Sequence, residues 1–400
     1  MNADLETLDE VDVPPTHQQG SAFVPSVGIV MPLAEQRGGA ELLLLQLLQA
    51  NATLAAEGEP VARYAVAFLE DGPMVAATRA LDVPAEVFEA GRVRQVGRQV
   101  GTVRRIAAWL RALDADATLA WMPKGHLYSG PAALLARIPA LWFQHTITSK
   151  NPIHRTATLL PSASILCCSE AAKAGQATLW PPRRADVLYP AVDLARFDAA
   201  AMPSQAELRA RLGLPADAFV AGLVGRLQRW KGIHVFVEAA AQVAHAQPDA
   251  VFVVVGGPHF SEPDYPAELN ALAEQHGIAD QIRFVGHQPN VPEWMCAFNV
   301  VVHASTGPEP FGMVILEGMA LGKPVIATAH GGPLEIVTPE AGLLVPPGDV
   351  PALADVLTRL AADPAARARL AAGARARAAQ FSTERLARDA AALVTATVRS

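Results

Sequence analysis

Cysteine is scarce in this chain, cations hold no excess, and no apolar run approaches the length of a membrane span. Each shortage removes a class of function. Three cysteines, Cys167, Cys168 and Cys296, among 400 residues are too few and too oddly placed for a disulfide framework. They fit a reducing compartment. Their spacing suits no metal site, so no metal is expected. A net charge of −7, a charged fraction of 18% and a pI near 5.9 leave no basic surplus to neutralise phosphates, and no nucleic acid partner is expected. The longest apolar run near the start, Leu42 to Leu45, is cut by Gln46, far short of the roughly 20 residues that span a bilayer. Residues 1–20 carry Asp4, Glu6, Asp9, Glu10 and Asp12 with no Lys or Arg. A signal peptide needs a basic start and an apolar middle, so this segment reads as a disordered acidic tail and the chain as cytoplasmic.

What is present is enough apolar sequence for two cores, at 51% of 400 residues. Strand-length apolar runs alternate with helix-length segments, which points to α/β architecture with parallel βα units. A first series of strands is expected at 26–32, 62–69, 117–122, 140–145, 163–168 and 185–189. A second is expected at 219–225, 250–255, 281–285, 299–303, 324–328 and 342–345. Two series imply two doubly wound, Rossmann-like domains, at 21–195 and 196–382. Pro190, Pro203 and Pro215 interrupt the stretch between them. Helical sequence fills 350–400, punctuated by Gly373 and by Phe381-Ser382.

The densest chemistry lies in Pro308-Glu309-Pro310-Phe311-Gly312-Met313-Val314-Ile315-Leu316-Glu317. Two carboxylates stand eight residues apart across a loop-to-helix junction, directly after an apolar strand. Gly312 opens the helix, so the backbone at Phe311, Gly312, Met313 and Val314 can approach an anion that the helix dipole favours. An anion seat flanked by two carboxylates suits a nucleotide sugar. Glu317 shares a helix face with Met313, Ala320 and Leu321. It points to a buried side, where it needs a partner, either ribose hydroxyls or a structural Arg. Glu309 sits between two prolines, in a stiffened loop that suits orienting sugar hydroxyls better than moving protons.

Loops after the carboxyl ends of parallel strands form the binding crevice of such sheets. Arg226 and Lys231 fall in one of them, where two cations can clamp a diphosphate. Val255-Gly256-Gly257 lets the backbone pass close to a ligand. His330-Gly331-Gly332 gives another glycine-rich helix start on the same side. In the first domain Gly38-Gly39 stands between a strand and a Leu-rich helix. His145 ends a strand, and His126 is a weaker candidate of the same kind. Residues 90–113 hold Arg92, Arg94, Arg98, Arg104, Arg105 and Arg111 with no acid. Apolar residues recur there at helical spacing, so this basic helix suits either an anionic membrane or ordinary solvent exposure.

Glu309-Pro310-Phe311-Gly312 through Glu317 and on to Gly318-Met319-Ala320-Leu321-Gly322-Lys323-Pro324-Val325 closely resembles the signature of family 4 glycosyltransferases, which are retaining enzymes of the GT-B fold. Gly38-Gly39-Ala40-Glu41 is similar to the family's amino-terminal glycine loop, and Cys168-Ser169-Glu170 to its serine before a helix. Tyr189-Pro190-Ala191-Val192-Asp193 resembles an interdomain element in which Gly is usual at the position of Ala191. Arg226 with Lys231 resembles the phosphate-binding pair. The carboxyl-terminal half matches more strongly than the amino-terminal half.

This resemblance implies that Glu317 binds ribose and that Arg226 and Lys231 hold the diphosphate. Glu309 and the backbone at Phe311 and Gly312 would orient the donor sugar, Gly39 would approach the phosphate from the other domain, and His145 would touch the transferred sugar. It places the last helix, 383–400, back on the first domain. It implies metal-independent transfer with retention, and no Asp-x-Asp motif or acidic cluster stands in a strand-end loop here. The expected donor is a UDP- or GDP-linked sugar, without a further cofactor, and the expected acceptor a glycan or lipid-linked saccharide of the cell envelope. A sugar-nucleotide epimerase and a non-catalytic nucleotide-sugar-binding protein are the competing readings.

Overall fold

Strands whose residues are apolar on both faces must be covered on both, and this forces two helix-coated parallel sheets. In the computed structural model, residues 23–36, 38–90, 96–148 and 152–400 are described. The expected acidic tail, Arg92 and Arg94 lie outside them. The first sheet contains β1 (Ser26–Met31), β2 (Arg63–Phe68), β3 (Ala85–Val87), β4 (Ala117–Trp121), β5 (Ala140–Gln144), β6 (Ser164–Cys167) and β7 (Ala185–Val187). Its spatial order is β3-β2-β1-β4-β5-β6-β7, parallel throughout. The second contains β8 (Val220–Val224), β9 (Val251–Val255), β10 (Ile282–Phe284), β11 (Val300–Val302), β12 (Val325–Thr328) and β13 (Gly342–Val345), in the parallel order β10-β9-β8-β11-β12-β13.

Both orders reverse direction once, between β1 and β4 in the first sheet and between β8 and β11 in the second. The loops that leave such a pair diverge to opposite faces and open a crevice. The expected strands are all present, and β3 is additional. That strand is three residues long at a sheet edge, too short for any period in the sequence to announce it.

Helix Gly39–Ala56 buries Leu43, Leu44, Leu47, Leu48 and Leu54, each contributing about 2 kcal/mol by leaving water. Helix Thr383–Val398 lies against it and buries Leu386, Ala387, Ala390 and Val394. Arg388 fixes the pair by donating two hydrogen bonds of 2.8 Å to Glu59. Helix Gln205–Arg211 belongs to the second sheet's layer. The buried Arg209 guanidinium donates there to the carbonyls of Ala297, Ala216 and Ala218 and to Asn299 Oδ1.

Gly373 does not interrupt the carboxyl-terminal helices. It lies inside helix Pro364–Ala379, where a Cβ would come within 2.0 Å of the Glu340 carbonyl. Close packing, not a break, is what requires glycine there.

Contacts between the two halves gather beside the Glu309 loop. Ser169 caps helix Glu170–Ala177 and donates through Oγ to the Pro310 carbonyl at 2.6 Å. Glu335 reaches across to accept the Glu170 and Ala171 N–H groups at 2.8 and 3.0 Å. Tyr189, Phe311 and Phe381 stack their rings within 6.0 Å of one another. Cys167, Cys168 and Cys296 are buried free thiols, and burial pushes each thiol upward and leaves it inert.

Candidate active site

The crevice of the second sheet opens at its reversal point, and most of the predicted site residues come from the loops after β8 and β11. Helix Met313–Ala320 starts at Gly312, whose φ of 111° is reached without strain only by glycine. The N–H groups of Met313 and Val314 are first-turn donors without a partner in their own helix. Phe311 is only 4% exposed, with its ring in the interdomain stack, so it can serve a ligand through its backbone alone. Gly331 and Gly332 do not form an anion seat of their own. A Cβ on Gly331 would fall 2.3 Å from the Glu309 carbonyl, and one on Gly332 would fall 2.4 Å from Phe311 Cα. This segment instead pins the Glu309 loop, with Gly332 N–H donating to the Glu309 carbonyl at 2.8 Å and the Glu309 N–H donating to the His330 carbonyl at 3.2 Å.

Glu309 is the hub of a buried polar network. Its Oε2 accepts from Lys231 Nζ at 2.7 Å. His303 Nε2 lies 3.0 Å from the same oxygen, and Ser305 Oγ donates to it at 3.2 Å. Burial alone would raise this carboxyl. The Lys231 ammonium and then the His303 hydrogen bond and charge outweigh burial and bring the carboxyl down to about 2. An acid that strong stays ionised at every physiological pH, and is a poor proton donor and a poor base.

Lys231 is further positioned over the Trp230 ring at 4.1 Å. The Trp230 carbonyl accepts the Thr306 N–H at 2.8 Å, which ties the loop after β8 to the loop after β11. Arg226 contrasts with it. The residue is exposed, and its guanidinium has no partner among the described residues. Gly256, at the end of β9, lets Arg226's loop approach. A Cβ there would meet the Gly225 carbonyl at 1.8 Å.

Glu317 faces the crevice one helix turn in from Gly312. It makes no hydrogen bond or ion pair with the described residues, so the structural-Arg alternative is not realised as a salt bridge. Burial pushes its carboxyl up to about 7, against the pull of the Arg196 guanidinium. A carboxylate in that state has its hydrogen-bonding capacity unspent.

The first domain meets this assembly through its own reversal point. A Cβ on Gly39 would be 3.8 Å from Met313 Cγ, so the starts of helices Gly39–Ala56 and Met313–Ala320 face each other. Gly38 is the extended cap residue of the first of these helices. Trp121 Nε1 donates to the Ala40 carbonyl at 2.8 Å, and the His145 ring packs 5.2 Å from Trp121 and 4.1 Å from Phe143. His145 Nε2 is buried without a partner among the described residues, and burial drives the imidazole down to about 3. It is therefore neutral and can offer or accept only a hydrogen bond.

His126 is not at the crevice. It is fully buried within helix Met122–Ala136 against Trp142, 5.2 Å ring to ring, and is a core residue. The chain's one Asp-x-Asp triplet, Asp114-Ala115-Asp116, precedes β4, at the opposite end of the sheet from the crevice. Asp116 accepts the Ser26 N–H there.

His303, Ser305 and Thr328 take part in the site although no motif marks them. One signal does exist in the sequence. His303 ends the strand that feeds the Glu309 loop, the same kind of position that singles out His145.

Two doubly wound parallel sheets whose reversal points bring two helix starts face to face define the GT-B fold. Residues 204–377, the greater part of the second domain, match the profile of the glycosyl transferases group 1.

The D-inositol 3-phosphate glycosyltransferase of Salinispora arenicola is 40% identical over 214 residues, which cover 51% of this chain and 48% of that protein. The corresponding protein of Thermomonospora curvata is 41% identical over 203 residues, 48% of this chain and 47% of its own length. The chain thus spans about half the length of the curated relatives it matches. Over nearly the whole fold, it resembles the crystal structure of Anabaena Alr3699/HepE in complex with UDP and glucose. The TM-score is 0.79 at 28% identity, covering 93% of this chain and 100% of that one.

Proposed function

We propose that the protein is a retaining hexosyltransferase that moves a sugar from a nucleoside diphosphate donor, a UDP-sugar by preference, to a lipid-linked saccharide or other glycan of the cell envelope. The observation that carries the reading is the convergence at one reversal point of Lys231, Arg226, Glu309, Glu317 and the orphan N–H groups of Met313 and Val314. UDP as the nucleotide is supported by the Anabaena protein's complex with UDP and glucose. The inositol phosphate acceptor named for the curated relatives is not carried over, because those matches span only about half of each chain.

In this reading Glu317 accepts the ribose hydroxyls, and its raised carboxyl is lowered when they arrive. Glu309 orients the sugar through its free oxygen. As the glycosidic bond breaks, negative charge grows on the departing diphosphate. Lys231, Arg226 and the start of helix Met313–Ala320 are aimed at it, and such electrostatic stabilisation is the largest contribution of most enzymes of this kind. Those cations take the place of a metal in the proposal. Glu309, ionised and loaded with donors, makes a weak nucleophile. This favours same-face attack, in which the leaving phosphate takes the acceptor's proton.

A thermal-shift panel of UDP-, GDP- and ADP-sugars tests donor choice, since a tight ligand raises stability by mass action. No shift with any of them removes the reading. Incubation with the preferred donor and no acceptor separates the alternatives. A transferase releases sugar slowly, an epimerase yields the epimer, and a binding protein changes nothing.

The protein is also placed, in this proposal, at an anionic bilayer. Among the described residues no helix is long and apolar enough to cross a membrane, so the association would be peripheral. Helices Val96–Ala112 and Met122–Ala136 form a groove of about 410 Å³ lined by Val100, Val103, Leu127, Pro131 and Leu135 beside Arg104. Val100, Leu134 and Leu135 are 46%, 59% and 47% exposed. Ile106, Ala107 and Leu110 provide the buried face of helix Val96–Ala112, and Val100 is left on the groove side. Arg104 lines the groove, and Arg98, paired with Glu89 at 2.9 Å, Arg111 and Arg137 are exposed on the same two helices and the cap of the second, on a protein of net charge −7. Apolar side chains ringed by Arg match a negatively charged lipid surface, at about 1 kcal/mol for each cation near it. Sedimentation with phosphatidylglycerol vesicles, and not with phosphatidylcholine vesicles, is expected. Loss of binding in an R98Q/R104Q/R137Q variant supports the assignment, and equal binding to both lipids refutes it.

A further inference from the structure

We propose that His303 is a positioning residue that fixes which oxygen of Glu309 faces the donor sugar and keeps Lys231 aimed into the crevice. The inference rests on the nucleotide-sugar reading above and adds to it a residue that the reading does not require.

His303 leaves β11 at the reversal point, 3% exposed, with its N–H donating to the Ile326 carbonyl at 2.8 Å. Both ring nitrogens are engaged. Thr328 Oγ1, at the end of the adjacent β12, lies 3.3 Å from Nδ1. Nε2 lies 3.0 Å from Glu309 Oε2 and 3.0 Å from Ser305 Oγ. An ionised carboxylate can only accept, so the hydrogen on this side belongs to Nε2. Two neighbouring strand ends thus set the angle of the imidazole, and the imidazole sets the carboxylate.

The consequence is an asymmetric Glu309. Oε2 receives hydrogens from Lys231, His303 and Ser305 at 2.7, 3.0 and 3.2 Å. Oε1 receives none from the described residues, while the Glu309 side chain keeps 10% of its surface exposed. Any rotation of the carboxylate breaks at least one of the three bonds to Oε2. Glu309 therefore presents one acceptor in one direction, as discrimination of a single sugar hydroxyl requires. Without His303 the carboxylate is free to turn and grip Lys231 with both oxygens. That withdraws Oε1 from the sugar and pulls the ammonium away from the diphosphate.

Three variants of the full chain test this. His303→Leu removes the donor. His303→Gln restores an N–H close to the position of Nε2. Thr328→Val releases only the far side of the ring, at nearly constant volume, and serves if His303→Leu does not fold. UDP affinity, kcat and donor KM are measured for each.

His303→Leu is expected to bind UDP within about 2-fold of the wild type, because no nucleotide contact is altered. Its kcat should fall about 10- to 100-fold, the scale of a misplaced orienting group. His303→Gln should stay within a few-fold of wild type, and Thr328→Val should lose a few-fold in kcat alone. A histidine that merely fills the core would lose thermal stability in all three variants without the kcat-specific pattern. Normal turnover in His303→Leu and Thr328→Val, or a Gln variant no better than Leu, overturns the assignment while leaving the donor site standing. A wild-type chain that binds no nucleotide sugar overturns both.

Discussion

The two reversal points of this molecule are built by the same rule and furnished in opposite ways. The one between β8 and β11 is charged and cross-linked. Lys231, Glu309, His303, Ser305 and Thr328 form one buried network, and Glu317 waits beside it. The one between β1 and β4 offers glycine, aromatic rings and a neutral histidine. A crevice needs charge only where charge develops. In the proposed reading the diphosphate and its nucleoside belong to the second domain, and the first supplies shape, close approach and the acceptor.

The largest expected effect separates the two cations within the charged wall. Lys231→Ala should lower kcat by at least about 100-fold, as for loss of one charge-stabilising donor. It should also reduce unfolding free energy by about 3 kcal/mol, because a buried carboxylate loses its ion pair. Arg226→Ala should impair turnover while changing stability by less than about 0.5 kcal/mol, as for an unpaired surface side chain. Steady-state kinetics with urea unfolding measures both, and equal stability losses would erase the distinction between a preorganised and a free cation.

Next in size is Glu317, which the structure holds ready at a cost. Its carboxyl rises from an ordinary 4.5 to about 7 on folding, so the folded state favours the protonated form. The stability it contributes is complete below about 4.5 and is lost as pH climbs through about 7. Glu317→Gln should therefore be more stable than the wild type at pH 8, by about 1–2 kcal/mol, with the difference closing by pH 5. The same change should weaken donor binding about 10-fold, the worth of a hydrogen bond to a charged group. Calorimetry and pH-dependent melting report the two, and unchanged donor affinity would remove the ribose assignment.

The smallest effect tests the uncharged wall. A Cβ on Gly39 meets only Met313 Cγ, at an ordinary 3.8 Å. Gly39→Ala should fold with an unchanged melting temperature and lose several-fold in kcat if the phosphate passes that backbone. Unaltered kinetics would confine the phosphate to the second domain.

Much of the candidate site proposed for the donor is legible in the sequence. The two glutamates lie on either side of one helix start, so their spacing implies a shared ligand whatever the rest of the fold. Lys231 and Arg226 are recognisable by their place in a loop after a strand, although a solvated basic turn reads the same way. Other features are hidden for particular reasons. β3 has three residues and no period. Gly373 and Gly331-Gly332 resemble breaks or anion seats, because sequence does not show the carbonyl that passes beneath a glycine. His126 and His145 look alike in sequence, and only packing separates a core imidazole from one at the crevice. His303 reads as the last residue of a strand, since its partners lie in the loop it leads into and in the neighbouring β12.

The α/β class, the two strand series and the residue types of the donor site follow from local periodicity and from short motifs, so the chain's sequence suffices for them. Which ends of those segments meet is settled only in three dimensions. Strand order brings β8 beside β11, and β1 beside β4, across connections of tens of residues, and no local pattern encodes that adjacency. The protonation of Glu309 and Glu317 is settled there as well. One carboxyl lies beside Lys231 and His303 and the other has only the more distant pull of Arg196 and no hydrogen bond among the described residues, and burial acts on both.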